Sequence, residues 1–115
     1  MTIQQIKRTS NTQDLVSWGG VGVPLSDPVC QLKGCKISIA GRQGTDTGVW
    51  ECSPGKFRRQ IEAGEVMHIL AGRCTFTPDE GPPIDIEAGD TLFLSPNTMG
   101  VWDIQETVRK VYVLI

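Results

Sequence analysis

Short runs of alternating polar and apolar residues, separated by glycine and proline, fill most of this chain. Side chains of a β-strand point to opposite faces in turn, so alternation with a period of two residues predicts strands with one buried face. The predicted strands lie at residues 36–40, 49–52, 56–61, 65–77, 84–86, 91–94, 101–104 and 110–115. The longest contains Gly72, where we expect the strand to bend or bulge. About eight short strands at this spacing predict an all-β sandwich or barrel.

The first thirty residues carry a different pattern. Residues 12–18 have room for one helical turn at most, and residues 19–28 are punctuated by glycine and proline, as in an ordered loop or arm. No long helical segment connects the predicted strands, which argues against a doubly wound parallel sheet. A chain of 115 residues has the length of one domain. We therefore expect an N-terminal arm and loop at residues 1–30 and a single barrel domain at residues 31–115.

Composition and charge narrow the classes of function. The apolar fraction of 39% and the charged fraction of 21% are typical of a soluble globular domain. The net charge is −2 and the densest basic cluster is Lys56, Arg58 and Arg59, so we expect no nucleic-acid partner. No apolar run reaches the roughly 18–20 residues of a membrane span, and the N-terminus lacks the apolar core of a signal peptide. We expect a cytoplasmic protein without a membrane partner.

The four cysteines are Cys30, Cys35, Cys52 and Cys74, and they lack the paired CxxC spacing of a zinc site. Disulfides need an oxidising compartment, and the chain shows no export signal. We therefore expect reduced thiols that pack as small apolar side chains.

Two clusters of residues give the predicted barrel a family resemblance. In the first, Glu65 opens an apolar strand and Gly72 follows after six intervening residues. In the second, the pair Gly89-Asp90 forms a turn and precedes a strand that ends near Pro96. This order resembles the two sequence motifs of the cupin superfamily. The resemblance implies a cupin-type double-stranded β-helix, which is a jelly-roll barrel.

A narrower resemblance covers roughly residues 48–112. The small cupins related to ureidoglycine aminohydrolase and to the cupin of ethanolamine utilisation resemble this chain at residues 47–52 (TGVWEC), residues 54–58 (PGKFR), Gly89-Asp90, Trp102 and residues 109–112 (RKVY). Many members of that branch are single domains of unknown function. The resemblance therefore implies a fold and no particular reaction.

The histidines that hold a metal ion in most cupins are missing from the first motif. Counting back from Glu65, their two positions fall on Arg58 and Gln60, or with the shorter gap on Arg59 and Ile61. We favour Arg58 and Gln60, because their face of the predicted strand is the polar one.

The rest of the chain does not supply the missing ligands. The histidine position of the second motif falls near Val101, and the single histidine, His68, lies on the strand face opposite Glu65. A guanidinium group offers no lone pair and repels a divalent cation. We therefore predict no metal and no other cofactor. A divalent metal such as manganese is the alternative that the resemblance to ureidoglycine aminohydrolase implies.

Glu65 is the centre of the predicted ligand site. The resemblance to cupins implies that its side chain faces the barrel interior, where a carboxylate needs a cation or hydrogen-bond donors. Arg58 and Gln60 beside it suit a ligand that carries a carboxylate or an amide. The alternative is that Arg58 neutralises Glu65 and that both belong to the scaffold.

Four further residues complete the predicted ligand site. Trp50 and Trp102 offer flat rings for the mouth of the pocket, with ordinary core packing as the alternative. Lys110 and Tyr112 share one strand face and bring an amine and a phenol to the same cavity, unless they only close the barrel edge. No residue is assigned a catalytic role.

Three functions fit these observations. The first is a binding protein that holds a small polar metabolite, bearing a carboxylate or an amide, inside the barrel. The second is a metal-dependent enzyme for a small nitrogen compound, which the resemblance to ureidoglycine aminohydrolase implies. The third is a structural or accessory subunit. Exposed strand edges also favour a homodimer.

Overall fold

The regular elements of this protein are all β-strands, as the predicted all-β class requires. The computed structural model describes residues 1–115. Its strands, in chain order, are β1 (Val16–Gly20), β2 (Gln31–Lys36), β3 (Thr47–Cys52), β4 (Gly55–Arg59), β5 (Glu65–Pro78), β6 (Ile84–Glu87), β7 (Thr91–Leu94) and β8 (Gly100–Leu114). No helix has the length and the apolar character that crossing a membrane would require.

The two longest strands, β5 and β8, form the centre of the sheet. They pair antiparallel from end to end, beginning with Glu65 opposite Leu114. Their register shifts around Gly72, whose φ is +89°. A side chain at that position would clash with the backbone of Thr107, so the ladder can bend there only with glycine. The bend predicted at Gly72 is confirmed.

The shorter strands add to the two halves of this central pair. The first half of β8 pairs with β4 and the second half with β3, and β2 and β1 extend the sheet beyond β3. The first half of β5 pairs with β7 and the second half with β6. One face of these strands is turned inward, so the wrapped sheet encloses a single core that includes Phe57, Met67, Phe76, Ile104 and Val108.

Strand β2 lies earlier in the chain than the sequence predicts. It ends at Lys36, so most of the alternating run at residues 36–40 is loop. The reason is the position of its partner strand. β3 begins at Thr47, whose carbonyl accepts a hydrogen bond from the N–H of Ile37, so residues 38–40 have no residue of β3 to pair with. The predicted strand at residues 36–40 is therefore wrong.

The predicted strands at residues 101–104 and 110–115 belong to one continuous strand, β8. The polar residues 105–107 suggest a break, but their side chains are exposed and Glu106 still pairs with β5. Strand β1 lies inside the predicted N-terminal arm and pairs with β2, so part of residues 1–30 joins the sheet.

Candidate functional site

A buried carboxylate with two cations lies inside the barrel. Glu65 opens β5 and is 1% exposed. Arg59 Nη2 donates to its Oε1 at 3.1 Å, and Lys110 Nζ donates to its Oε2 at 2.8 Å. Burying a carboxylate is costly unless it is paired and hydrogen-bonded, and here each oxygen has its own cation. We call Arg59, Glu65 and Lys110 the ion cluster.

Strand alternation brings these three side chains together. Glu65, Met67 and Ile69 share the buried face of β5, whereas Val66 and His68 face outward. Lys110 stands opposite Ile69 in the β5–β8 ladder. The predictions that Glu65 faces the interior and that His68 lies on the opposite face of the strand are confirmed. The exposed His68 ring lies 2.7 Å from the hydroxyl of Thr91.

Arg59 is held by the backbone as well as by Glu65. Its Nη1 donates to the carbonyls of Ile61 at 2.6 Å and Thr98 at 2.7 Å, and Nη2 donates to that of Ala63 at 3.4 Å. Its side chain is 2% exposed, and the buried Nε has no partner. Arg59 therefore fixes Glu65 and ties the loop after β4 to the turn before β8.

The favoured alignment of the first motif is wrong about which arginine meets the glutamate. Arg58 points outward, is 38% exposed and forms a two-point ion pair with Asp79, with one N–O distance of 2.9 Å. Gln60 is exposed. The alternation of β4 buries Phe57 and Arg59, so the shorter gap, which was the alternative, gives the correct arginine. The apparent polar face of the sequence is the solvent face.

Lys110 lies in an apolar and aromatic environment. Its Nζ is 4.3 Å from the centroid of the Trp50 ring and 3.9 Å from the sulfur of Met67, and its side chain is 8% exposed. The rings of Trp102 and Tyr112 lie at 5.8 and 5.9 Å. Burial lowers the pKa of Lys110, although the neighbouring carboxylate of Glu65 acts in the opposite direction.

Two clefts meet at this lysine. They share the lining residues Trp50, Ile61, Glu65 and Lys110. The first cleft, of about 200 Å³, continues towards Trp18, Lys36, Asp46 and Tyr112. The second, of about 170 Å³, continues towards Leu32, Phe57, Arg58, Gln60 and Trp102. Glu65 and Lys110 thus line both clefts, although their side chains are only 1% and 8% exposed.

The first cleft has one wall that the sequence analysis missed, the ring of Trp18. This ring lies directly over Gly34, where any side chain would clash with it. Lys36 Nζ is 5.8 Å from the Trp18 ring and 2.5 Å from Asp46, so the mouth of the cleft carries an ion pair. A glycine inside a strand often marks close approach of another group, and Gly34 could have indicated this contact.

All seven of the predicted ligand residues line the clefts. Trp50, Lys110 and Tyr112 surround the first cleft with Glu65. Trp102 reaches the second cleft but is only 6% exposed, and its ring packs against Phe76 at 4.6 Å between centroids. Arg58 and Gln60 lie at the outer edge of the second cleft.

The donor groups at the centre do not fit a divalent metal ion. Both oxygens of Glu65 already accept hydrogen bonds from cations, and arginine has no lone pair to offer. The inward residue nearest the later histidine position is Trp102, since Val101 lies on the other face. No three His, Cys, Asp or Glu side chains lie together as a metal site would need.

The four cysteines are free thiols, and burial raises the pKa of Cys74 to about 11.

A larger depression, of about 440 Å³, lies between β5 and β6, away from the ion cluster. Exposed polar side chains such as Arg73, Asp85 and Glu87 form most of its wall. It has no buried polar group aimed into it, so we place the candidate site at the ion cluster.

Comparison with solved structures shows the same fold in several proteins. A protein of unknown function of the DUF861 family from Pseudomonas syringae pv. tomato str. DC3000 is 22% identical, with a TM-score of 0.75 over 88% of this chain and 44% of that chain. The Clostridium difficile EutQ protein is 15% identical, with a TM-score of 0.65 over 76% of this chain and 64% of that chain. This chain therefore spans less than two thirds of the length of either protein.

A third structure matches almost end to end. A predicted oxalate decarboxylase from Thermotoga maritima is 15% identical, with a TM-score of 0.68 over 96% of this chain and 98% of that chain. These similarities concern the fold, and they confirm the predicted cupin jelly-roll barrel. No curated protein matches the sequence.

The family model described as the EutQ-like cupin domain matches residues 40–112, which is more than half of the chain. That segment contains β3 to β7 and most of β8, and with them the whole ion cluster. This chain belongs to the EutQ-like cupin family.

Proposed function

We propose that this protein binds a small carboxylate-bearing metabolite in the clefts beside Lys110, without a metal ion. The observation that carries the proposal is the charge of the ion cluster. Arg59 and Lys110 are two cations that share one carboxylate, Glu65, so the cluster carries one positive charge in excess when all three groups are ionised. In an environment of low dielectric, an anion that reaches this charge is held more strongly than in water.

Arg59 and Lys110 have different roles in the proposed site. Arg59 is enclosed by backbone carbonyls and serves to position Glu65. Lys110 has one strong acceptor, Glu65, and its amine lies at the wall shared by both clefts. An ammonium group has three donors, so Lys110 keeps capacity for a ligand carboxylate. The anion-binding role predicted for Arg58 is therefore proposed for Lys110.

The clefts suit a small and partly flat ligand. At about 200 and 170 Å³ each is smaller than the roughly 300–1,000 Å³ of a drug-sized site. The indole of Trp50 lies beside the ammonium and offers an apolar face for the body of the ligand. A carboxylate at one end and a planar or short apolar body would satisfy both surfaces.

The experiment compares acids with an amine. Calorimetric titration and thermal shift would be run with acetate, pyruvate, lactate and oxalate, and with ethanolamine as the cationic probe. The acids should bind and raise Tm, and ethanolamine should not, because both oxygens of Glu65 are occupied by Arg59 and Lys110. Binding of ethanolamine alone, or of no acid in the series, would overturn the proposal.

Variants assign the effect to the ion cluster. Lys110→Met should weaken acid binding at least about tenfold, which is about 1.4 kcal/mol. The matched control is Lys56→Met on β4, whose amine is exposed and lies 3.9 Å from Asp103. If Lys110→Met does not fold, Trp50→Leu tests the same cleft with the ion cluster intact. Equal affinity in the wild type and in Trp50→Leu would then contradict the proposed site.

A further inference from the structure

One lysine of this chain differs from the other four in its surroundings. Lys110 is 6% exposed, whereas the other four are on the surface, namely Lys7, Lys33, Lys36 and Lys56. A buried lysine is a costly feature, and a structural ion pair with Glu65 does not require it to line a cleft. The proposed binding of an acid uses its charge and leaves its amine chemistry unused.

Lys110 Nζ has one proton acceptor and otherwise weakly polar surroundings. Glu65 Oε2, at 2.8 Å, is its one strong acceptor, and no backbone carbonyl accepts a hydrogen bond from it. Its other neighbours are the sulfur of Met67 and the face of Trp50, which stabilise a charge far less than water does. Arg59 occupies the other oxygen of Glu65, so Oε2 is directed to the lysine alone.

Burial also acts on the protonation equilibrium. It lowers the pKa of Lys110, and the charge of Arg59 acts in the same direction, whereas Glu65 opposes both. A larger fraction of this amine is therefore neutral at a given pH than for a surface lysine. Lysines desolvated in this way are the ones that act as nucleophiles towards carbonyl groups.

From the cleft and these contacts, we infer that Lys110 forms a reversible imine with the carbonyl group of its ligand, which makes a 2-oxo acid the class of compound bound. This inference rests on the proposed function, because it assigns the ligand class for the same site. It adds a covalent bond that simple acid binding does not need.

The bond changes balance within the ion cluster. Lys110 Nζ transfers one proton to Glu65 Oε2, and the neutral amine attacks the carbonyl carbon, forming a C–N bond while the C=O π electrons move to the oxygen. The oxygen then takes one proton from the attacking nitrogen, which gives the neutral carbinolamine. The resulting carbinolamine loses its hydroxyl group as water, taking up a proton that Glu65 returns. The nitrogen lone pair forms the C=N bond, and no oxidant or reductant takes part. Hydrolysis reverses every step.

Formation of the imine does not change the net charge of the site. A protonated imine carries the same positive charge as the lysine it replaces, so the excess charge of the ion cluster is retained. In a 2-oxo acid the carboxylate is attached to the carbon that becomes the imine carbon. The ligand anion thus lies next to the cation without a second basic residue.

The first test measures the reactivity of the amine without assuming a ligand. The whole protein is treated with formaldehyde and sodium cyanoborohydride at pH 6.5, and the methylation rate of each of the five lysines is followed by peptide mass spectrometry. Since only the neutral amine reacts, Lys110 should react at least about threefold faster than the four surface lysines. Methylation of the surface lysines while Lys110 stays unmodified would overturn the inference.

The second test separates the imine from simple binding. Pyruvate and lactate differ by the carbonyl group, and sodium borohydride reduces an imine to a stable adduct. Pyruvate should leave one adduct on Lys110, lactate none, and Lys110→Arg none with either acid, while Lys56→Arg behaves as the wild type. Reversible binding of both acids without an adduct would overturn the imine and leave the proposed function standing. If neither acid binds, the proposed function fails as well.

Discussion

Arg58 and Arg59 are neighbours in β4, and each forms hydrogen bonds with one carboxylate, yet they belong to different environments. Arg58 is 38% exposed and pairs with Asp79 at the surface. Arg59 is 2% exposed and pairs with Glu65 in the interior. The sequence RR hides this difference, which one step of strand alternation creates. The comparison indicates that burial, and not residue type, decides how much each arginine contributes to the stability of the fold.

The two ion pairs are expected to differ strongly in how the fold depends on them. An exposed pair gains little, because water and salt screen it and two long side chains must be ordered. Removal of one partner of a buried pair strongly destabilises the fold, because the other partner is left as an uncompensated charge. Variants of the four residues therefore test the comparison directly.

Removal of the buried carboxylate should have the largest effect. Glu65→Gln leaves Arg59 and Lys110 buried without a counter-charge, so we expect a loss of about 3–5 kcal/mol in the free energy of unfolding. Urea denaturation measures it. Asp79→Asn is the matched control at the surface, and its denaturation midpoint should stay close to that of the wild type. Equal losses in the two variants would contradict the contrast between the environments.

The arginines give the next largest effect. Arg59→Met removes the donors to Glu65 and to the carbonyls of Ile61 and Thr98, and we expect a loss of about 3 kcal/mol. The loss lies at the lower end of the range because Lys110 still pairs with Glu65. Arg58→Met should be nearly neutral in the same urea denaturation. A greater loss in Arg58→Met than in Arg59→Met would reverse our assignment of the inward arginine.

The position of the acidic group was predictable, and that of its partners was not. Glu65 and Gly72 are six residues apart in a motif with a fixed spacing, and alternation then gives the inward face. Which arginine meets Glu65 depends on the length of the gap that precedes it in the motif, and the two possible lengths differ by one residue. In a strand, a shift of one residue exchanges the inward and the outward face. Polarity favoured Arg58 because an isolated sequence does not show that a polar face belongs to solvent.

Contacts between distant residues were beyond the sequence alone. Lys110 meets Glu65 across 45 positions, and Trp18 reaches the first cleft only because β1 pairs with β2. The pattern places Lys110 on the face of Tyr112, but the ladder register decides which side chain of β5 it meets. The position of β2 likewise depends on where β3 begins, which local alternation does not encode.

The smallest predicted effect is the pH dependence of the stability that the surface ion pair between Arg58 and Asp79 provides. The hydrogen bond from Arg58 lowers the pKa of Asp79 below its usual value of 3.8. The folded state then binds fewer protons than the unfolded state, so the ion pair stabilises the fold above that value and loses its effect as pH falls through the lowered pKa. The wild type should therefore exceed Asp79→Asn slightly in its urea midpoint at pH 6, and the difference should disappear as the pH falls through the lowered pKa of Asp79. Arg58→Met should show the same loss, since it removes the cause of the shift, whereas Asp85→Asn controls for removal of an exposed aspartate that forms no ion pair. A difference between the wild type and Asp79→Asn that stays constant as the pH falls from 6 to the most acidic pH at which both proteins fold would mean that the pair has no coupling to protonation.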